Sequence, residues 1–558
     1  MRKNLILSFS VISSLALTSC SKLGPLSADN FTVTPNPLEV TANQVPATID
    51  ARFPAKYMKK KAVVTIIPEL RYGSGQVAVG ERTTFQGEKV RGNDQVVPYR
   101  AGGNYSMKTS FGYVPEMLKS ELYLTFDARK GKKRVDLPAV KVADGVVSTS
   151  QLYKRTMLND GLCLAPDTFQ RVKAQKQEAN IKFLINQANL RKSELKNNSI
   201  TEFVRMLKKI NNDREKLNLR NVEVSAYASP DGGFTLNDKL ANKRQNTGEE
   251  YVKGQLKQNN VQTNIDAHYT AQDWEGFQKL VQASNIQDKD VILRVLSMYK
   301  DPQEREQQIR NMSAGFRELA TGILPELRRA RLIINYEVVG RSDEQIQQQF
   351  AQDASKLSAD EILYGATLTD NASEAMNYYR KATELYPNDY RAYNNLGILA
   401  LQAGNDEQAR TYFRNAISVD ANAAEPNANL GLLALKSGNL QEAENLIAKA
   451  GSANDINKAV GTLNIAKGNY ALAEQNLKGY DINTAALAQL LNRNYAGATA
   501  TLKNVKHPDA MTDYLTAVVN ARQGKTSAAA QALQSAVKKD PSLASYAADD
   551  FELAKVEK

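Results

Sequence analysis

Cysteine, histidine and tryptophan are nearly missing from this chain. Its 558 residues hold two cysteines, Cys20 and Cys163, two histidines, His268 and His507, and one tryptophan, Trp274. A zinc site usually needs three or four clustered ligands, and no such spacing occurs. A thiol enzyme would have to bring Cys163 to one of two lone histidines. The phosphate-loop, dinucleotide, nucleophile-elbow and HExxH patterns are all missing. The sequence therefore points away from an enzyme, and it implies no metal, no cofactor and no nucleic-acid partner.

Composition is otherwise that of a folded protein, with 42% apolar and 24% charged residues, which excludes wholesale disorder. A chain this long holds several domains, each able to bury a core. The net charge of +12 is unevenly spread. Residues 21–150 carry about +7, residues 151–349 about +6 and the remainder about −3. A basic front suits an anionic polymer or lipid surface, or is simply a solvated face.

Arg2 and Lys3 precede an apolar stretch from Leu5 to Leu17, too short to span a bilayer. Leu17-Thr18-Ser19-Cys20 follows and resembles the bacterial lipobox. That resemblance implies a signal peptide over 1–19 and acylation of Cys20. It further implies an outer-membrane anchor, because Ser21 and Lys22 rather than aspartate follow the cysteine, and one facing the periplasm, because no acidic run comes after Cys20. Several acyl chains hold a protein firmly on a membrane, at ~0.8 kcal/mol per buried methylene. Cys163 is then unpaired, and its neighbours Gly161, Leu162 and Leu164 suit a buried, inert thiol.

Residues 20–150 alternate short β-branched or aromatic runs with turn clusters such as Pro35-Asn36-Pro37 and Gly102-Gly103-Asn104. Regular short strands of this kind predict a β-sandwich of immunoglobulin-like type. Two basic runs, Lys59-Lys60-Lys61 and Lys130-Gly131-Lys132-Lys133-Arg134, fall on expected loops or edges. They can touch phosphate-bearing lipid or serve as solvated charge that blocks aggregation.

In residues 151–345, Val172 to Glu178 is polar and helix-compatible, and Asn180 to Ile185 reads as a strand. Ser199-Ile200-Thr201-Glu202 has the pattern of a capping box. Val222, Val224 and Ala226 alternate as a second strand before the turn Ser229-Pro230-Asp231-Gly232-Gly233. A helix follows, with Leu236, Leu240, Tyr251 and Leu256 as its apolar stripe. Gly232, Asn237, Leu240 and Arg244 resemble the turn and helix of the OmpA-like, peptidoglycan-associated family. The resemblance implies an α+β domain with a helical insertion over about 268–325. It also implies a ligand site in which Arg244 forks onto a stem-peptide carboxylate. Ser229 stands where the family has aspartate, so Asp231 is the candidate for the ammonium end. Asn237 and Gly232 complete the tentative set. Trp274 either caps that groove or packs against the domain.

Residues 350–558 repeat. Leu396-Gly397, Gly404-Asn405 and Ala409 recur as Leu430-Gly431, Gly438-Asn439 and Ala443, ~34 residues on, the tetratricopeptide period. Shorter copies follow at Gly468, Arg493 and Gly524, which predicts an all-α solenoid presenting a groove to a protein client. Asn394, Asn395, Arg410, Tyr412 and Arg414 are the candidate groove residues. Two readings stand at this point. One is a tether joining outer membrane, peptidoglycan and protein client. The other is an adaptor for an assembly, secretion or fimbrial machine, with a second domain that binds no peptidoglycan.

Overall fold

A computed structural model describes residues 23–286, 288–311 and 313–556. The expected signal peptide and Cys20 lie outside the described residues. The chain divides into two compact units, one built from residues up to Asp167 together with Thr369–Lys558, the other from Thr168–Leu368. The boundary expected at 151 therefore moves. Residues 151–167 belong to the first unit, and their apolar side chains join the core of the repeat helices.

The first unit begins sheet-rich. Phe31–Thr34, Gln44–Phe53 and Gly103–Gly112 form a three-stranded antiparallel sheet. A seven-stranded sheet is centred on Ala62–Tyr72 and Ser120–Lys130. Strand Gln44–Phe53 buries every second residue, the period-2 pattern of a strand covered on one face. Its Phe53 reaches Phe85 of the larger sheet, ring centroids 4.9 Å apart. Ile49, Ile66, Leu122 and Leu124 complete a core between the two sheets.

The same unit ends in paired antiparallel helices from Ala372 to Asp549. Small residues set how closely each pair packs. A Cβ on Gly397 would meet the Phe413 ring at 2.5 Å, on Gly431 the Ile447 side chain at 2.6 Å, and on Gly461 that of Leu477 at 2.4 Å. Each glycine lies sixteen residues before its partner, so one packing solution is repeated. The first helix of each pair ends on a residue with positive φ: Gly404 (80°), Gly438 (81°), Gly468 (78°), Arg493 (63°) and Gly524 (73°). Glycine takes that left-handed C-cap without a Cβ penalty; Arg493 does not.

In the second unit the strands are β1 (Val172–Lys182), β2 (Leu217–Tyr227), β3 (Asn264–Thr270) and β4 (Arg329–Val339). Their spatial order is β1-β4-β2-β3, with β2 and β3 parallel and the other pairs antiparallel. Helices Asn198–Asn212 and Phe234–Gln258 cover one face, burying Phe203, Leu207, Val252 and Leu256 against Val222, Val224 and Leu332. Between β3 and β4 lie the expected helices, Trp274–Ala283 through Leu324–Leu327, with a core of their own. Trp274 packs edge-on against Phe277 at 5.8 Å within that core.

Three local expectations change. Val172 to Glu178 is strand, not helix. It is the polar outer edge of the sheet, paired along its whole length with β4, and edge strands commonly carry charge on both faces. The helix expected to be capped by Ser199 is capped instead by Asn197, which accepts from Ile200 N at 2.9 Å. The buried stripe of Phe234–Gln258 is Asn237, Ala241, Arg244, Gly248, Val252 and Leu256, while Leu236 is exposed. Gly248 is part of the contact: a Cβ there would sit 3.0 Å from Val224 and 3.2 Å from Ala330.

Candidate functional site

A segment of the chain itself lies against the first helices of the repeat pairs. After the sandwich, residues 148–160 make a short 3-10 turn and a single helical turn, Tyr153–Thr156. Residues 162–166 then run extended, with Cys163 and Ala165 buried and Leu164 and Pro166 exposed. Leu152, Tyr153, Met157, Leu162 and Cys163 belong to the same apolar core as the repeat helices.

Asparagine amides hold this strap by its backbone. Asn429, on helix Ala424–Lys436, accepts from Cys163 N at 2.8 Å and donates to Cys163 O at 2.8 Å. Asn395, on helix Tyr390–Gln402, does the same for Ala165, at 3.0 and 3.1 Å. Asn394 donates to Cys163 O at 3.1 Å and to Asn395 Oδ1 at 3.0 Å, and accepts from Asn429 at 3.0 Å. Asn395 and Asn429 are one 34-residue repeat apart and read residues two apart along an extended chain. All three amides are at most 2% exposed. Because both the N–H and the C=O of the strap residue are satisfied, its backbone can be buried at little cost. Further along, Gln402 donates to the carbonyls of Leu158 and Asn159, and Arg391 to that of Asp167 at 2.8 Å.

Sequence reasoning offered Asn394 and Asn395 as groove residues for a client; in the structure both hold the chain's own strap. That reasoning missed Asn429, which the 34-residue period applied to Asn395 would have found. Arg410, Tyr412 and Arg414 lie on the second helix of that repeat, Asp406–Val419. Arg410 faces Glu407 at 3.8 Å, Gln408 donates to the Tyr412 hydroxyl at 3.4 Å, and Arg414 is exposed. They make no part of the amide ladder. The Cys163 thiol is fully buried, 3.8 Å from Asp455 O, and burial pushes its pKa up to about 12. A thiolate nucleophile does not form there at neutral pH.

The strap also closes the sandwich onto the far end of the repeats. Ser148 Oγ lies 2.9 Å from the Tyr546 hydroxyl, Thr149 donates to Glu552 at 2.5 Å, and Ser150 donates to Val40 O at 2.9 Å. Phe551 lies against Gly145, where a Cβ would fall 1.7 Å from its ring.

In the second unit Arg244 is 1% exposed, and each of its three side-chain nitrogens donates a hydrogen bond. It gives hydrogen bonds to Gln187 O (3.0 Å), Tyr227 O (2.9 Å) and Leu184 O (3.3 Å), and lies over the Phe183 ring. Burial, with Arg328 nearby, draws its pKa down to about 10, against the pull of Asp231. The expected open fork is thus a buried tie between the loop after β1 and the end of β2. Asp231, expected to take an ammonium group, is 3.3 Å from Arg328, which also donates to Ser229 Oγ at 3.2 Å. Asn237 donates to Ser229 O and Gly232 O at 2.9 and 2.8 Å and so fastens the turn. Arg329 pairs with Asp273 at 3.0 Å.

Among the described residues no group of three His, Cys, Asp or Glu could hold a metal ion, and no helix is long and apolar enough to cross a membrane. A region of paired helices at this spacing, with a bound extended segment, defines a helical-repeat protein. The tetratricopeptide repeat family matches residues 378–411, the stretch that carries Asn394 and Asn395. Among solved structures, a tetratricopeptide repeat protein from Parabacteroides merdae is 16% identical, covering 38% of this chain and 90% of its own, with a TM-score of 0.29. Pseudomonas aeruginosa pilF is 16% identical over 36% of this chain and 95% of its own, TM-score 0.25. PilW, a type IV pilus biogenesis factor, is 17% identical over 38% and 95%, TM-score 0.24. No curated protein matches the chain.

Proposed function

We propose that this chain is a non-enzymatic protein-binding scaffold of the bacterial envelope, held on the outer membrane by acylated Cys20 and facing the periplasm. The observation that carries this reading is the amide ladder Asn394-Asn395-Asn429 gripping a main chain. A surface that recognises backbone N–H and C=O is built to hold polypeptide rather than to transform a small molecule. The chain's own strap takes that seat, which leaves the outer helices, with Tyr412 and Arg414, for a protein client. A photo-crosslinking residue at Tyr412 should form adducts with a second polypeptide in intact cells. One at Leu164 should crosslink only within the chain. If positions across the outer helices yield no intermolecular adduct, the scaffold reading fails.

A second reading keeps peptidoglycan as a partner. The strand order β1-β4-β2-β3 and the Gly-containing turn before the Arg244 helix support an OmpA-like scaffold for the second unit. To bind a stem-peptide carboxylate, Arg244 would have to give up bonds to three carbonyls, and Asp231 its contact with Arg328. The adaptor is therefore favoured over the tether. Sedimentation with purified sacculi separates them: the adaptor stays in solution, whereas wild type pelleting while Arg244→Lys does not would restore the tether.

A further inference from the structure

The two basic runs of the sandwich, seventy residues apart in sequence, meet in space. Strand Ala62–Tyr72 pairs with Ser120–Lys130 so that Ala62 faces Lys130. Gly131 N then donates to Lys61 O at 2.9 Å, and Lys89 N donates to the neighbouring Lys60 O at 2.7 Å. Three loops are thereby pinned to one end of the sandwich, residues 56–61, 87–91 and 129–134. They hold four, two and five cationic side chains, against the single acid Glu88. Glu88 faces Lys60 at 3.9 Å, and Asp136, just beyond, faces Arg134 at the same distance. Lys60, Lys61, Lys89, Lys132 and Lys133 are all exposed.

A second observation concerns the path of the chain at this end. The chain packs on the sandwich core from Leu23 and Leu26 onward, and Asn30, just before the strand Phe31–Thr34, donates to Arg52 O at 3.2 Å. Arg52 is the penultimate residue of Gln44–Phe53, the strand that runs directly into the Lys56–Lys61 loop. The start of strand Phe31–Thr34 and the basic loops therefore share one end of the module, and Cys20, the proposed anchor, stands ten residues before Asn30 in the sequence.

We infer that this basic end is a docking surface for the phosphate headgroups of an anionic phospholipid bilayer, set beside the acyl anchor. The choice of a membrane as partner rests on the anchored reading of Cys20. The surface itself rests on the convergence of the loops. Clustered Lys and Arg bind anionic bilayers additively and over a Debye length, so the interaction is strong at low salt and screened at high salt.

The test uses the full chain with Cys20→Ser, so that no anchor contributes, and vesicles of phosphatidylcholine with or without 30% phosphatidylglycerol. Binding is expected only to the anionic vesicles, and is expected to be lost between about 0.1 and 0.5 M NaCl. Lys89→Glu/Lys132→Glu/Lys133→Glu should weaken partitioning on the order of 100-fold or more. The control Lys192→Glu/Lys208→Glu/Lys257→Glu removes the same charge from the second unit and should bind within a few-fold of the parent. Equal loss in both triple variants would show a net-charge effect and overturn the proposal, as would no binding to anionic vesicles. The mass of the protein from cells reports acylation separately. Vesicle binding by an unacylated native protein would sink the anchor and keep the surface, and an acylated protein whose Cys20→Ser form ignores vesicles would do the reverse.

Discussion

Replacing Asn429 by alanine tests the strap most directly. The substitution removes the acceptor for Cys163 N and one donor to Cys163 O, and it breaks the link to Asn394. Asn394 still donates to Cys163 O, but the Cys163 N–H is stranded in a site with no exposure. An orphaned buried backbone group costs about 1–3 kcal/mol. Taking ~2 kcal/mol, opening of the strap becomes ~30-fold more populated. Cys163 is itself the reporter: with Cys20→Ser it is the only thiol in the chain. Closed, it is buried and its pKa stands near 12; open, it returns to about 8.5 and reacts. Maleimide labelling under native conditions should therefore accelerate ~30-fold in Asn429→Ala. Leu164→Ala, changing a side chain 41% exposed, should leave the rate near that of the parent. If Asn429→Ala labels within two-fold of the parent at unchanged denaturant midpoint, the amides do not hold the strap.

Other expectations follow from the same packing. Gly431→Ala places a Cβ 2.6 Å from Ile447 and should lower stability by about 1–3 kcal/mol, read as a drop in urea midpoint. Arg493→Gly relieves a left-handed C-cap at φ 63° and should raise stability by up to ~1 kcal/mol, read as a higher urea midpoint. Burial raises the Cys163 pKa in the folded state, so above about pH 9 the unfolded chain releases a proton that the folded chain keeps. Stability attributable to this group is intact below that pH and lost as pH climbs towards 12. Urea titrations of Cys163→Ala should lose up to ~1.4 kcal/mol per pH unit of that decline between pH 9 and 11.

The repeats were legible because their information is periodic. Gly397 and Gly431, and the caps at Gly404 and Gly438, recur at one spacing with one physical cause each. The strap was not legible. It is recognised through backbone groups, so Leu162-Cys163-Leu164-Ala165 carries no pattern that names its binding site. Arg244 shows a different limit: a guanidinium that ties down three carbonyls and one that meets a ligand can occupy the same position after the same Gly-containing turn. The fold around the side chain decides which acceptors are near. Val172 to Glu178 misled for a third reason. A strand at a sheet edge with both faces wet has no period-2 signature, so its polar residues read equally well as helix.

The arrangement of the first unit carries a consequence for how the molecule breaks. Its two parts, ending at Asp167 and resuming at Thr369, are separated by 201 residues that belong to the other unit. The covalent link through those residues is not what keeps the parts together. A protease cut anywhere within Thr168–Leu368 would leave the outer fragments clasped by the asparagine ladder and by the contacts of Ser148 and Thr149. Two polypeptides expressed apart, one ending near Asp167 and one beginning near Thr369, would then find each other as complementary halves of a split protein.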